Sequence, residues 1–213
     1  MGNHILFLFV GPTRVLFTLH TDLLPEATQT YINQHSQGHQ TFQLPNEDAN
    51  IMNIYRNFLY SHRIFSKSPE DEDMEDDGKS EAHNDAEWTK LAHCYLFAIT
   101  VQDERFANAS INAIVEKMQE IDRYPTGIAG EVYQYTQPGD KLRQLIVDVH
   151  VRKGLGNWVR PPHDDAEGPK EFLQDVINGL VAVGGGLYED EVPMPWEAKC
   201  RYHTHVVTRK CEG

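Results

Sequence analysis

Two short apolar runs rich in β-formers, each followed by an amphipathic helical pattern, fill residues 15–65, and they restrict the fold to a small sheet backed by helices. Val15-Leu16-Phe17-Thr18-Leu19 suits a half-buried strand. His20-Thr21-Asp22 breaks it, and Leu23, Leu24, Ala27, Thr28 and Tyr31, at spacings of three and four, predict a helix with one face on that strand. Thr41-Phe42-Gln43-Leu44 alternates as a second strand, closed by Pro45, which has no N–H to give to a ladder. A helix beginning near Asp48 follows, with Ile51, Ile54, Tyr55, Phe58 and Leu59 as its apolar stripe. Upstream, His4 to Val10 predicts a first strand, and Gly11-Pro12-Thr13-Arg14 predicts the turn that makes it an antiparallel hairpin with Val15–Leu19. Gln34 to Gln40 predicts a loop, and Arg63-Ile64-Phe65 a further short strand.

Charge is unevenly placed. Between Glu70 and Glu87 ten acidic residues face Lys79 alone, a local balance of -9 out of a net -13. With so little apolar content, residues 66–87 predict a solvated, disordered acidic insert. The remainder carries only -4 and no basic stripe, which argues against a nucleic-acid partner. Ile5 to Val10 is too short for a signal core or a membrane span, so no membrane association is expected. Three cysteines make no disulfide framework, and a reducing intracellular compartment follows, with cytoplasm and nucleus indistinguishable. At 213 residues the chain can bury about 70% of its unfolded surface, enough for one domain with an appendage.

Beyond the insert, Leu91, Cys94, Tyr95, Ala98 and Val101 share one helical face, and Asp103 stands where an N-cap belongs before a helix carrying Phe106, Ala109, Ala113, Ile114 and Met118. A helical hairpin is the expectation. After Pro125-Thr126-Gly127 a third helix holds Ile128, Val132, Tyr133 and Tyr135; Asp140 then caps a fourth, lined by Leu142, Leu145, Ile146, Val149 and His150 and stopped by Gly154. Residues 155–168 read as a linker. Pro169 opens a last helix with Phe172, Leu173, Val176, Ile177, Leu180 and Val181 at helical spacing, ended by Gly184-Gly185-Gly186. That triplet follows a helix, the wrong context for a phosphate loop.

Several of these residues together resemble the BTB/POZ domain, in its fungal branch. His20 at a strand end, Leu23-Leu24, Thr28, Tyr31, Leu44-Pro45 and Leu59-Tyr60 match its first half, with Thr21 and Thr28 where the family usually has a basic residue and a Ser. Tyr95-Leu96-Phe97-Ala98, Phe106-Ala107-Asn108, Val132-Tyr133, Thr136 and Leu142-Arg143 are similar to its later helices, so the resemblance spans most of Ile5 to Lys153 outside the insert. It implies an α+β fold, a small mixed sheet with helical hairpins, organised as a BTB/POZ domain over 1–122, a helical extension over 123–154, a C-terminal helix over 169–186 and a tail over 187–213. It further implies a protein–protein interaction module that self-associates as a homodimer or acts as an adaptor, for example for a cullin-type ubiquitin ligase. A monomeric scaffold of the same fold is the other outcome left open. Many such dimers exchange an N-terminal segment, which is not expected here because the first strand begins almost at Met1. The expected interaction surface is the first helix, Asp22 to Ile32, through Asp22, Leu23, Gln29, Tyr31 and Ile32, together with exposed parts of the hairpin helices.

One constellation has metal-ligand character. Cys200, His203, His205 and Cys211 offer two thiolates and two imidazoles, a set tetrahedral zinc accepts, although the spacing C-x2-H-x-H-x5-C matches no common finger. Fungal BTB proteins look similar here, and Trp196, Cys200, Tyr202-His203 and His205 carry that likeness. The alternatives are no cofactor and a loosely ordered tail with surface histidines, or a zinc-dependent protein in which His163 or Asp164 joins a working metal centre. His163-Asp164-Asp165 otherwise reads as a solvated turn and His20 as a hydrogen-bonded structural histidine. The sequence has no Gly-x-Ser-x-Gly, His-Glu-x-x-His or Walker loop, so an enzyme is not expected.

Overall fold

The computed structural model describes residues 4–36, 41–67, 80–125, 127–153, 169–184 and 194–211. The chain is an α+β protein. Strand β1 (Ile5–Val10) lies at the centre of a three-stranded sheet, antiparallel to β2 (Val15–His20) and parallel to β3 (Thr41–Leu44). Pairing of Leu8 with both Phe17 and Phe42, and of Val10 with Leu44, puts these apolar side chains of all three strands on the core face. The hairpin turn needs Gly11 and Arg14 at positive φ, and Gly11 N–H donates to the Leu44 carbonyl at 2.9 Å, tying the turn to β3.

The first helix starts later than its apolar spacing predicts. Thr21–Leu23 forms a single 3-10 turn, and α1 runs Glu26–His35. Pro25 is the reason: it excludes Leu24 from helical backbone, leaving that residue extended at ψ 141°. Helix α2 (Ala49–Ser61) begins where Asp48 caps it, the Asp48 carboxylate accepting from the Asn50 N–H at 2.6 Å, and ends on His62 in left-handed conformation. That ending also removes the short strand expected at Arg63-Ile64-Phe65. The Arg63 N–H is taken by the Ser61 hydroxyl at 3.2 Å, and residues 63–67 form no element.

The acidic segment needs a second correction. Helix α3 runs Ser80–Thr100, so the expected insert over 66–87 is helical from residue 80, and residues 68–79 lie outside the described residues. Helix formers such as Glu and Ala extend a helix already fixed by its packed part at little cost. Glu87 is not a solvated charge either: its carboxylate accepts from Lys117 and from the Ser66 hydroxyl. From Trp88 onward α3 packs on α4 (Glu104–Ile121) as the expected hairpin. Asp103, fully buried at the bend, accepts from the Phe106 N–H at 3.1 Å and from the Tyr55 hydroxyl at 3.0 Å, which binds the hairpin to α2.

Among the described residues three further α-helices follow: α5 (Ala129–Tyr135), α6 (Lys141–Lys153), capped by Asp140, and α7 (Lys170–Gly184). Helix α7 packs on α5 and α6, burying Phe172 and Val176, while Ile177, Leu180 and Val181 of its predicted stripe stay exposed. Phe17, Leu24, Leu44, Phe106, Leu145, Phe172 and Tyr202 all belong to one continuous core. Residues 154–168 and 185–193, which hold the expected linker, His163-Asp164-Asp165 and the end of the glycine triplet, lie outside the described residues. No helix among the described residues is long and apolar enough to cross a membrane.

Candidate metal centre

The tail is fastened to the helical part before it reaches its cysteines and histidines. A 3-10 turn, Lys199–Tyr202, sits against α4 and α6, and the Tyr202 ring is buried. Its hydroxyl donates to Asp148 on α6 at 2.9 Å, and Arg201 pairs with the same carboxylate at 3.1 Å. Burial raises the Asp148 pKa, and these two partners act against that rise. Lys141 donates to the Arg201 carbonyl at 3.0 Å.

Helix α4 then holds the rest through a stripe of polar residues four apart. Glu116 pairs with Lys199 at 3.1 Å, and Asn112 accepts from His203 at 2.9 Å. Asn108 clasps Thr204 in both directions, donating to its carbonyl at 2.8 Å and accepting from its N–H at 2.9 Å. Glu104 accepts from the N–H groups of Val206 and Thr208, at 2.9 and 2.7 Å, and from the Thr208 hydroxyl. Glu104, Asn108, Asn112 and Glu116 lie on one line along a helix.

Within this frame the four predicted donors come together. One ligand atom each from Cys200, His203, His205 and Cys211 lies within 4.8 Å of every other. Cys200 Sγ is 3.3 Å and Cys211 Sγ 3.6 Å from His205 Nε2, and His203 Nδ1 is 3.1 Å from Cys211 Sγ. Zinc bonds of about 2.3 Å to sulfur and about 2.0 Å to nitrogen in a tetrahedron require sulfur–nitrogen edges of about 3.5 Å. The observed separations bracket that value.

The outer partners set the imidazoles for this task. The Asn112 side-chain oxygen only accepts, so His203 carries its proton on Nε2 and turns the Nδ1 lone pair toward Cys211. The Thr208 hydroxyl spends its proton on Glu104 and so accepts from His205 Nδ1–H at 3.1 Å, which leaves Nε2 bare toward both sulfurs. Burial, then the neighbouring His205, lowers the His203 pKa and favours the neutral, ligating form. Hydrogen bonding to Cys211 comes first in lowering the Cys200 thiol. The cluster can hold a metal ion.

No family model, curated protein or solved structure matches this chain.

Of the residues expected to form the interaction surface, Ile32 is turned inward. Ile32 is a core residue at 6% exposure, because the helix turns its 28 and 32 positions inward. Gln29 donates back to the carbonyls of Thr21 and Leu24, closing the loop before the helix. Tyr31 packs edge-on against Phe42 and beside His35. Leu23 is half-buried, its carbonyl accepting from Arg105 at 3.0 Å, and Asp22 is exposed. These residues do not form an apolar patch. Sequence reasoning missed the outer face of the sheet, where register brings Ile5, Phe7, Phe9 and Leu16 together opposite the core. The signal was present in β1, apolar at every position, as strands covered on both faces are. The polar stripe on α4 was also missed, though its four-residue repeat is legible.

Proposed function

We propose that this chain is a protein–protein interaction module of the BTB/POZ type that self-associates or serves as an adaptor, for instance to a cullin-type ubiquitin ligase. What supports this is the arrangement of the residues behind the resemblance: a mixed three-stranded sheet and a helical hairpin share one core that includes Phe17, Leu24 and Leu44. The partner-binding surface is assigned to the outer face of the sheet, where Leu16, opposite Phe9, is 53% exposed and Ile5, at the other end of β1, is 42% exposed. The test is light scattering at two concentrations together with affinity capture, comparing the intact chain with Leu16→Glu and checking both by circular dichroism. A dimer or a reproducible partner that the folded variant loses supports the proposal. An intact chain that stays monomeric at both concentrations and captures no protein sinks it.

The donor geometry favours a second element of the same proposal, zinc at Cys200, His203, His205 and Cys211. All four positions of a tetrahedron are filled from the protein, which suits a structural site and leaves no vacant position for a working metal centre. Here zinc ties residues 200–211 of the tail to one another, and Asn112 links the site to α4 through His203. Elemental analysis of protein purified under mild reduction should find equimolar zinc, and chelation should lower the melting temperature; protein free of zinc even after reconstitution defeats this assignment.

A further inference from the structure

We infer that Cys200 and Cys211 form a reversible disulfide that competes with the metal for the same two sulfurs, making the tail centre responsive to peroxide. The inference deepens the zinc assignment above and rests on it. Both sulfurs belong to a donor set spanning no more than 4.8 Å. A disulfide needs about 2.05 Å between sulfurs, so closure asks for a movement of at most roughly 3 Å. Cys211 can make it: it is exposed, and residues 209–211 belong to no helix or strand. Cys200 provides the fixed end, on the 3-10 turn anchored by Tyr202 and Lys141. The third cysteine is an internal control. Cys94 is wholly buried in α3, where desolvation pushes its thiol up to about 12 and keeps it unreactive.

The chemistry balances with hydrogen peroxide as oxidant. The exposed Cys211 thiolate attacks one peroxide oxygen, the O–O bond breaks, the sulfur becomes a sulfenic acid, and the departing hydroxide takes a proton from the buffer acid. The Cys200 thiolate then attacks that sulfur, the S–O bond breaks, and a second hydroxide departs and is protonated. Two electrons have moved from the sulfurs to the peroxide oxygens, giving one disulfide and two waters. The metal is left with two imidazoles and dissociates. The clasp of Asn108 on Thr204 and the bonds to Glu104 involve neither sulfur, so the tail keeps its seat up to residue 208.

The experiment uses the full, zinc-loaded chain. It is titrated with hydrogen peroxide while released zinc is followed with a coloured chelator and cysteine linkage is mapped by peptide mass spectrometry. The expected result is equimolar appearance of free zinc and the Cys200–Cys211 bridge, unchanged in Cys94→Ala, with zinc uptake restored by dithiothreitol and added metal. Zinc that stays bound while the bridge forms, or thiols that resist peroxide in a zinc-loaded chain, overturns the switch and leaves the zinc assignment standing. A chain that takes up no zinc overturns both. Mapping the natural cysteines keeps the outcome independent of whether a Cys211→Ser chain folds.

Discussion

Removing the Lys117 ammonium would leave the Glu87 carboxylate in a place where water scarcely reaches, since the two side chains are 7% and 11% exposed. Lys117 also sits over the Trp88 ring at 4.8 Å, so its stem and its charge both serve the hairpin. Lys117→Ala should cost about 3–5 kcal/mol in urea unfolding, the usual cost of a buried charge stripped of its partner. Lys117→Met combined with Glu87→Gln should recover most of that loss. Burial raises the Glu87 pKa, but hydrogen bonds from Lys117 and Ser66 outweigh it and hold the carboxyl below its ordinary 4.5. The stability from this carboxylate is therefore present above that value and lost as pH falls through the lower, folded one. His150 acts at milder acidity. Burial lowers its pKa from 6.5, against a hydrogen bond to the Ile146 carbonyl at 2.8 Å. Its folded pKa lies below its unfolded one, so the unfolded chain takes up the proton first and stability drops as pH falls below about 6.5. His150→Gln should flatten the melting temperature between about pH 7 and about pH 5, read by calorimetry across that range.

Between elements, contacts are made by a few side chains whose spacing was visible but whose partners were not. Arg143 on α6 is buried, donates to the Thr136 hydroxyl at 2.7 Å and to the Tyr133 and Thr136 carbonyls that end α5, stacks on the Tyr133 ring and pairs with Glu171 of α7 at 3.1 Å. The family resemblance singled out Tyr133, Thr136 and Arg143 without saying that they meet. Asn108 has the same history. Asn108→Ala should break both bonds to Thr204, cost about 1–3 kcal/mol and speed amide exchange at residues 203–208, with the hairpin itself unchanged. Gly179 is different, because its role depends on α6: a Cβ there would lie 2.6 Å from Val151 Cγ2. Gly179→Ala should lose about 1 kcal/mol, overpacking outweighing the gain in helix propensity, and Val151→Ala in the same chain should restore it. Strand and helix positions were legible because burial imposes periods of two and about four on the residues. Pairings across 60 to 100 residues leave no period, so the frame around the metal donors stayed hidden although the donors themselves did not. Pro25, by excluding Leu24 from helical backbone, and Ser61, by taking the Arg63 N–H on its hydroxyl, moved element ends through single local effects, below what apolar spacing can register.

At the scale of the whole molecule, the sheet contributes one face to the core and leaves the other, with Ile5 and Leu16, to solvent. A two-sided apolar strand such as β1 gains from being covered, which is why association is proposed there and not on α1. Closure of the core itself depends on a residue far along the chain. Tyr202 is 1% exposed and reaches Asp148, and the segment after it is held by Glu104, about a hundred positions earlier. On the ribosome, α4 and α6 must therefore wait, with a gap between them, until Tyr202 has been made. Chaperone occupancy in that interval should end only when Tyr202 has left the exit tunnel, and nascent chains halted before it should remain open to protease between α4 and α6.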